Sequence, residues 1–192
     1  MKRIVFVLFT GMLFLISCNG IRGDGNIVSQ ERTASGFNGI TINGVTNVNV
    51  LPGEDYKVIV TTDANLQDFV LMEMKNNVLQ IINTKENLKP TKLIVDVHLP
   101  QLQSININGV GHVKLSDGNA SDLEVSLSGV GSFDAQNYQV KNVTVQNSGV
   151  GEALIWATDS LSGTLSGVGK FLYKGNPRVN LNVNGVGKLD KL

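Results

Sequence analysis

The tripeptide Gly-Val-Gly occurs five times in this 192-residue chain, opening at Gly109, Gly129, Gly149, Gly167 and Gly185. The steps between copies are 20, 20, 18 and 18 residues. A looser copy, "INGVTNV", puts Gly44 in the same role, with Thr46 in place of the second glycine. A repeat of nearly fixed length close to 20 residues marks a stacked architecture, in which each unit buries its apolar face only against its neighbours. No other feature narrows the possible folds so far.

On either side of the glycines the apolar residues alternate. Upstream stand Ile40 and Ile42, Ile105 and Ile107, Leu123, Val125 and Leu127, Val143 and Val145, Leu161 and Leu165, then Val179, Leu181 and Val183. Downstream come Val48 and Val50, Val113 and Leu115, Phe133 and Ala135, Ala153 and Ile155, Phe171 and Tyr173. A period of two on both sides predicts two half-buried strands per repeat, and helical spacing does not fit. Copies pairing in parallel about 4.8 Å apart would stack into a solenoid. The expected fold is therefore all-β: a β-solenoid, specifically a right-handed single-stranded parallel β-helix, right-handed because parallel crossovers are. Residues 57–100 carry the less regular strands "KVIVT", "FVLMEM", "NNVLQII" and "KLIVDVHLP", with a hairpin turn at Asn76-Asn77 and a helical turn near Asn65 to Asp68. This part is expected to form an irregular N-terminal sheet that begins and caps the solenoid.

The glycines match no ligand motif. A phosphate loop needs a glycine five residues before its Gly-Lys and a hydroxyl after the lysine; Thr164 and Asn182 hold the first position, Phe171 and Leu189 the second. A dinucleotide fingerprint lacks its third glycine and its helix, and calcium-binding rolls repeat at nine residues with an aspartate in register. What remains is a corner, where glycine lets the backbone bend and approach its neighbour closely. The structural corner residues are Gly44, Gly109, Gly111, Gly129, Gly131, Gly149, Gly151, Gly167, Gly169, Gly185 and Gly187. Each first glycine follows a small polar residue (Asn43, Asn108, Ser128, Ser148, Ser166, Asn184), a set able to form a hydrogen-bonded ladder. The valine after it recurs in all six copies: Val45, Val110, Val130, Val150, Val168 and Val186. The favoured expectation turns these valines inward to fill the corner; the alternative is an exposed stripe that would serve as an interaction surface.

The N-terminus is a separate matter. Lys2 and Arg3 precede an apolar run from Ile4 to Ile16, too short for the roughly 20 residues that span a bilayer. It reads as a signal peptide, residues 1–17, ending in the lipobox-like "LISC". Cys18 is the only cysteine, so an internal disulfide and a multi-thiolate metal site are both excluded, and Cys18 becomes the expected lipidation site, carrying palmitate-type acyl chains. Residues 18–29 read as a lipidated tether and 30–192 as the solenoid domain. Asn19, rather than Asp, argues against retention in the inner membrane. The expected location is the cell envelope at the outer membrane, with the surface and periplasmic faces both open.

Chemistry is sparse. The formal net charge of zero argues against nucleic acid as a partner. His98 and His112 lack motif partners, and no cofactor or metal site is expected. The carboxylates Asp117, Asp122, Glu124, Asp134, Glu152 and Asp159 are scattered, but residues about 20 apart become neighbours across rungs. A polysaccharide-active enzyme with a carboxylate pair in a cross-rung cleft is therefore the alternative to a non-enzymatic module. Trp156 is either a sugar-stacking platform or an outer packing residue. "Asp159-Ser160-Leu161" resembles an acceptor for bacterial O-glycosylation.

"ERTASGFNGITINGVTNVNVLPGEDYKVIVTTDANLQDFV", "VLQI", "KLIVDVHLPQLQSININGVG" and the repeated SGVG units resemble the head GIN domain family, labelled putative auto-transporter adhesin. The resemblance runs from about residue 27 to the last residue. It implies a β-solenoid in a Gram-negative envelope, often with a lipoprotein signal, and brings no catalytic or binding residues to this chain. The expectation is thus a lipid-anchored, non-enzymatic envelope module, its partners the membrane through the N-terminal lipid and a glycan or protein ligand. Lys188, Asp190 and Lys191 would blunt the last strand against edge pairing, which favours a monomer.

Overall fold

A computed structural model describes residues 20–85 and 87–192, so the lipobox and Cys18 lie outside the described residues. The regular structure of the described chain is nearly all β, 69% strand against 3% helix. The elements are β1 (Ile27–Arg32), β2 (Gly39–Asn43), β3 (Asn47–Pro52), β4 (Lys57–Asp63), β5 (Val70–Lys75), β6 (Val78–Asn83), β7 (Leu93–Leu99) and β8 (Ser104–Ile107). They continue with β9 (Val110–Leu115), β10 (Gly118–Leu127), β11 (Val130–Asn147), β12 (Val150–Leu165), β13 (Val168–Lys174), β14 (Arg178–Val183) and β15 (Val186–Lys191). One short 3-10 helix, Ala64–Phe69, interrupts them.

Two parallel ladders meet at the repeated corner. Upstream of the glycines, β6, β2, β8, β10, the end of β11, the end of β12 and β14 pair in that order. Downstream, β7, β3, β9, the start of β11, the start of β12, β13 and β15 do the same. At the five Gly-Val-Gly corners the strands stop at the Asn-Gly or Ser-Gly and restart on the valine; at the first corner Val45 makes an isolated bridge and β3 restarts on Asn47. This is the β-solenoid, and its interior is the alternation read from the sequence. Val48, Val113, Phe133, Ala153, Phe171 and Leu189 are successive partners in one inward column. In it Phe133 and Phe171 are separated by Ala153, which gives each ring room at the strand spacing, and all three are buried. Ile40, Ile105, Val125 and Val145 form the facing column, each 0% exposed.

The change from 20- to 18-residue steps has a local cause. Between β11 and β12 the register jumps from Ala135↔Ile155 to Gln139↔Trp156, so Gln136, Asn137 and Tyr138 are extra on the longer rung; the shorter rung regains one residue before Asn142↔Ser160. The Tyr138 ring is buried against Gly118. Burial raises its phenol pKa, opposed by a hydrogen bond with the Leu102 backbone.

Antiparallel strands close the N-terminal end: β5 on β6, and β1 on β4 on β7. Asn76 and Asn77 turn the β5–β6 hairpin with φ of 51° and 60°, the paired left-handed conformation a two-residue hairpin needs. Two buried polar side chains pin this end. Gln67 donates to the carbonyls of Val28 and Val60 at 2.9 and 3.2 Å and accepts from Arg32 at 3.0 Å. The Asp63 carboxylate accepts from the amides of Gly25 and Thr91, both at 2.8 Å. Burial alone would raise its pKa, but these and further hydrogen bonds from Thr91 and Lys92 outweigh it and hold the carboxyl below its ordinary value. The segment read as a tether to residue 29 is accordingly structured sooner: β1 begins at Ile27, and the Gly23 amide already donates to the Lys89 carbonyl at 3.0 Å. The sequence offered no signal for this, because the partners lie 26 to 66 residues away.

Candidate functional site: a valine ridge

The favoured inward placement of the repeat valines is wrong. Val45, Val110, Val130, Val150 and Val168 are 48–53% exposed and Val186 is 74% exposed. The reason is parity. Phe133 points inward, so by the two-residue period the inward position nearest the corner is Gly131, and Val130 faces out. The inward slot is left to a residue with no side chain.

The six valines stand in strict register. Val45 bridges Val110, and Val110, Val130, Val150, Val168 and Val186 are each paired with the next. A hydrogen-bond row holds the line straight: the amide of each valine donates to the carbonyl of the first glycine one rung earlier, from Val110 on Gly44 to Val186 on Gly167, at 2.9–3.0 Å. At Val45 no glycine lies beneath, and the Asn83 side chain takes its place, its Oδ1 accepting the Val45 amide at 2.9 Å. Asn83 thus imitates a missing rung, and sequence reasoning passed over it.

Glycine is required on both sides of the ridge. A Cβ built on Gly129 would lie 1.8 Å from the Gly109 carbonyl oxygen, and one on Gly151 would lie 1.7 Å from that of Gly131, with φ of +144° besides. From Val110 to Val186 each valine therefore stands between two columns of bare backbone, while Val45 has Thr46 on its second side. Beyond the first column runs the polar ladder. Asn108 donates to Asn43 at 3.1 Å and Ser128 to Asn108 at 2.7 Å. From there the ladder changes partners: Ser148 and Ser166 donate to the carbonyls of Leu127 and Asn147. Beyond the second column stand His112, Ser132, Glu152, Lys170 and Lys188, successive partners in the pairing, with His112 Nδ1 2.6 Å from Ser132 Oγ. Beside Val130 and Val150, and again beside Val168, the spaces are about 30 Å³ each, room for a water; at the N-terminal end of the ridge Val45 and Val110 border a wider open hollow of about 410 Å³ with Pro90, Lys92 and His112.

The other candidates are dispersed. Asp117, Asp122, Glu124, Glu152 and Asp159 are exposed and Asp134 half-buried. Asp122 and Glu124 share an open hollow with Asn142 and Thr144, but both belong to β10, and Asp122 is held by Asn142 at 3.1 Å. No carboxylate pair spans two rungs in that hollow. His98 is half-buried on β7. Trp156 carries the Lys174 ammonium 3.8 Å from its ring centroid, so that face of the indole is covered. Ser160 Oγ donates to Asn142 at 2.9 Å. Among the described residues no group of His, Cys, Asp or Glu is placed to hold a metal, and no helix is long and apolar enough to cross a membrane.

Stacked parallel rungs, a repeated glycine corner and an antiparallel N-terminal end define a repetitive β-solenoid domain. Within that class the chain belongs to the family described as "Putative auto-transporter adhesin, head GIN domain", whose model matches residues 36–117 and again 109–177. The second match begins at the first Gly-Val-Gly, as expected of an internal repeat. Among solved structures, a putative adhesin from Bacteroides fragilis is similar at a TM-score of 0.61 and 21% identity, covering 90% of this chain and 100% of its own. A putative lipid binding protein from Parabacteroides distasonis is similar at 0.58 and 20%, covering 91% and 100%. At these identities the likeness is one of fold. No curated protein matches the sequence.

Proposed function

We propose that the protein is a lipid-anchored, non-enzymatic module of the cell envelope that meets a partner through the valine ridge. The observation that carries this reading is the ridge itself. The inward columns are buried until the last rung, where Val179 and Val183 emerge at 43% and 49% exposure, whereas the ridge leaves six valines 48–74% exposed in one straight line along every rung. A contiguous apolar patch of this kind marks an interaction surface. The family's adhesin description and the lipobox ending at Cys18 support the envelope setting. The dispersed carboxylates support a binding role over polysaccharide hydrolysis, which needs a carboxylate pair across one bond.

The test is chemical shielding in cells producing the full-length chain. Val150→Cys places a thiol on the ridge, and Glu124→Cys places one on an exposed strand face away from it. With a membrane-permeant maleimide, V150C is expected to label several-fold more slowly than E124C in cells and at the same rate after denaturation. Equal labelling in cells would mean a bare ridge and would overturn the reading.

A further inference from the structure

The ridge has the profile of something that fits itself. The valine column is bordered by Gly109, Gly129, Gly149, Gly167 and Gly185 on one side and by Gly111, Gly131, Gly151, Gly169 and Gly187 on the other. Each border is a trough of bare backbone running beside the ridge from Val110 to Val186. Two such surfaces displaced by one column interlock, the valines of each lying over the glycines of the other. This is the geometry by which identical stacked side chains make dry interfaces, and by which glycine lets backbones approach.

We propose that the occupant of the valine ridge is the ridge of a second copy of this chain, related by a two-fold axis parallel to the solenoid axis. The proposal rests on the reading of the ridge as a contact surface and names its partner. Charge selects the orientation. With the axis parallel, each rung meets its own rung, and where the valines lie over the partner's second glycines the column His112, Ser132, Glu152, Lys170, Lys188 lies over the partner's uncharged first-glycine column. With the copies antiparallel, Lys170 would face the His112 column position instead, and the charged columns would face each other. The parallel arrangement also brings both N-termini to one end, as two chains anchored in one membrane through Cys18 require.

Size sets the strength. The ridge offers on the order of 500 Å² of apolar surface, the scale at which a patch is functional. That is below the roughly 800 Å² per partner of a standard stable interface, so the pair is weak in dilute solution. Anchoring both chains in one membrane raises their effective concentration and favours pairing there. The charged last strand, Lys188, Asp190 and Lys191, opposes pairing along the strand edge and leaves this face untouched.

The experiment is cross-linking of the full-length chain in intact cells with a short bis-maleimide. Cys18 is the only native cysteine, so the unsubstituted chain gives the background. V150C and Val186→Cys are each expected to yield a band of doubled mass, while E124C stays single. Cross-linking of V150C without V186C would overturn the parallel axis, because only central rungs meet their own copies in an antiparallel pair. V150C that remains shielded from maleimide yet never cross-links would overturn the second copy as occupant and leave the contact reading standing. V150C that labels freely and never cross-links would sink both.

Discussion

Replacing Gly151 with alanine tests whether the corner geometry sustains the stack. The new Cβ would lie 1.7 Å from the Gly131 carbonyl oxygen, where real contacts do not fall below 3.0 Å, so the two rungs must part by more than about 1 Å at this point. The amides of Val150 and Val168 then draw away from the Gly129 and Gly149 carbonyls, now at 2.9 Å. Two such hydrogen bonds contribute about 1 kcal/mol each. An alanine forced to a φ of +144° adds roughly 1–3 kcal/mol of strain. The expected loss is therefore about 3–5 kcal/mol, a large part of the ~5–15 kcal/mol typical of a domain. Urea unfolding followed by circular dichroism measures it, with Gly53→Ala as control: that glycine has no atom within 4 Å of its Cβ position, and the change should stay within about 0.5 kcal/mol. If G151A unfolds at the same urea concentration as G53A, the rungs are not held by close approach at the corner and the argument fails.

Asp63→Asn should weaken the N-terminal end in a pH-dependent way. The folded carboxyl is held below its usual value, so its contribution is complete above the unfolded pKa of ~3.9 and is lost as pH falls through the folded pKa. The wild-type advantage over D63N in urea midpoint should therefore be full at pH 6 and shrink at low pH; an advantage independent of pH would refute the assignment. Cys18→Ala should abolish incorporation of a palmitate analogue and move the chain from the membrane pellet to the supernatant. A wild-type chain that takes up no label would remove the anchor.

Much of the fold could be read from spacing. Near-constant steps between glycines gave the rungs, alternation gave the inward columns, and Asn76-Asn77 gave the hairpin. The valines could have been placed as well. Val130 is three residues from inward Phe133, an odd step that puts it outside; treating the bend as a change of phase hid that count. Other features were beyond reach. Asn83 replaces a glycine carbonyl under Val45 only because β6 ends beneath the first corner, and Asp63 and Gln67 act on backbone groups up to 39 residues away in sequence. Such side-chain contacts to distant backbone leave no local pattern. The residues flanking the ridge were visible one by one, but their alignment into a charged column and a neutral one needs the register.

The two sides of each rung obey different rules. Opposite the glycine corner, the chain admits three extra residues at Gln136–Tyr138 and drops them one rung later, yet Val130, Val150 and Val168 remain consecutive partners. The domain has a spine of constant pitch and a waist of variable girth. Insertions and deletions at the waist leave every valine in line, whereas duplication of a whole rung would add one valine and about 4.8 Å to the spine. Descent with such changes would alter the length of the contact surface in whole steps and its spacing not at all.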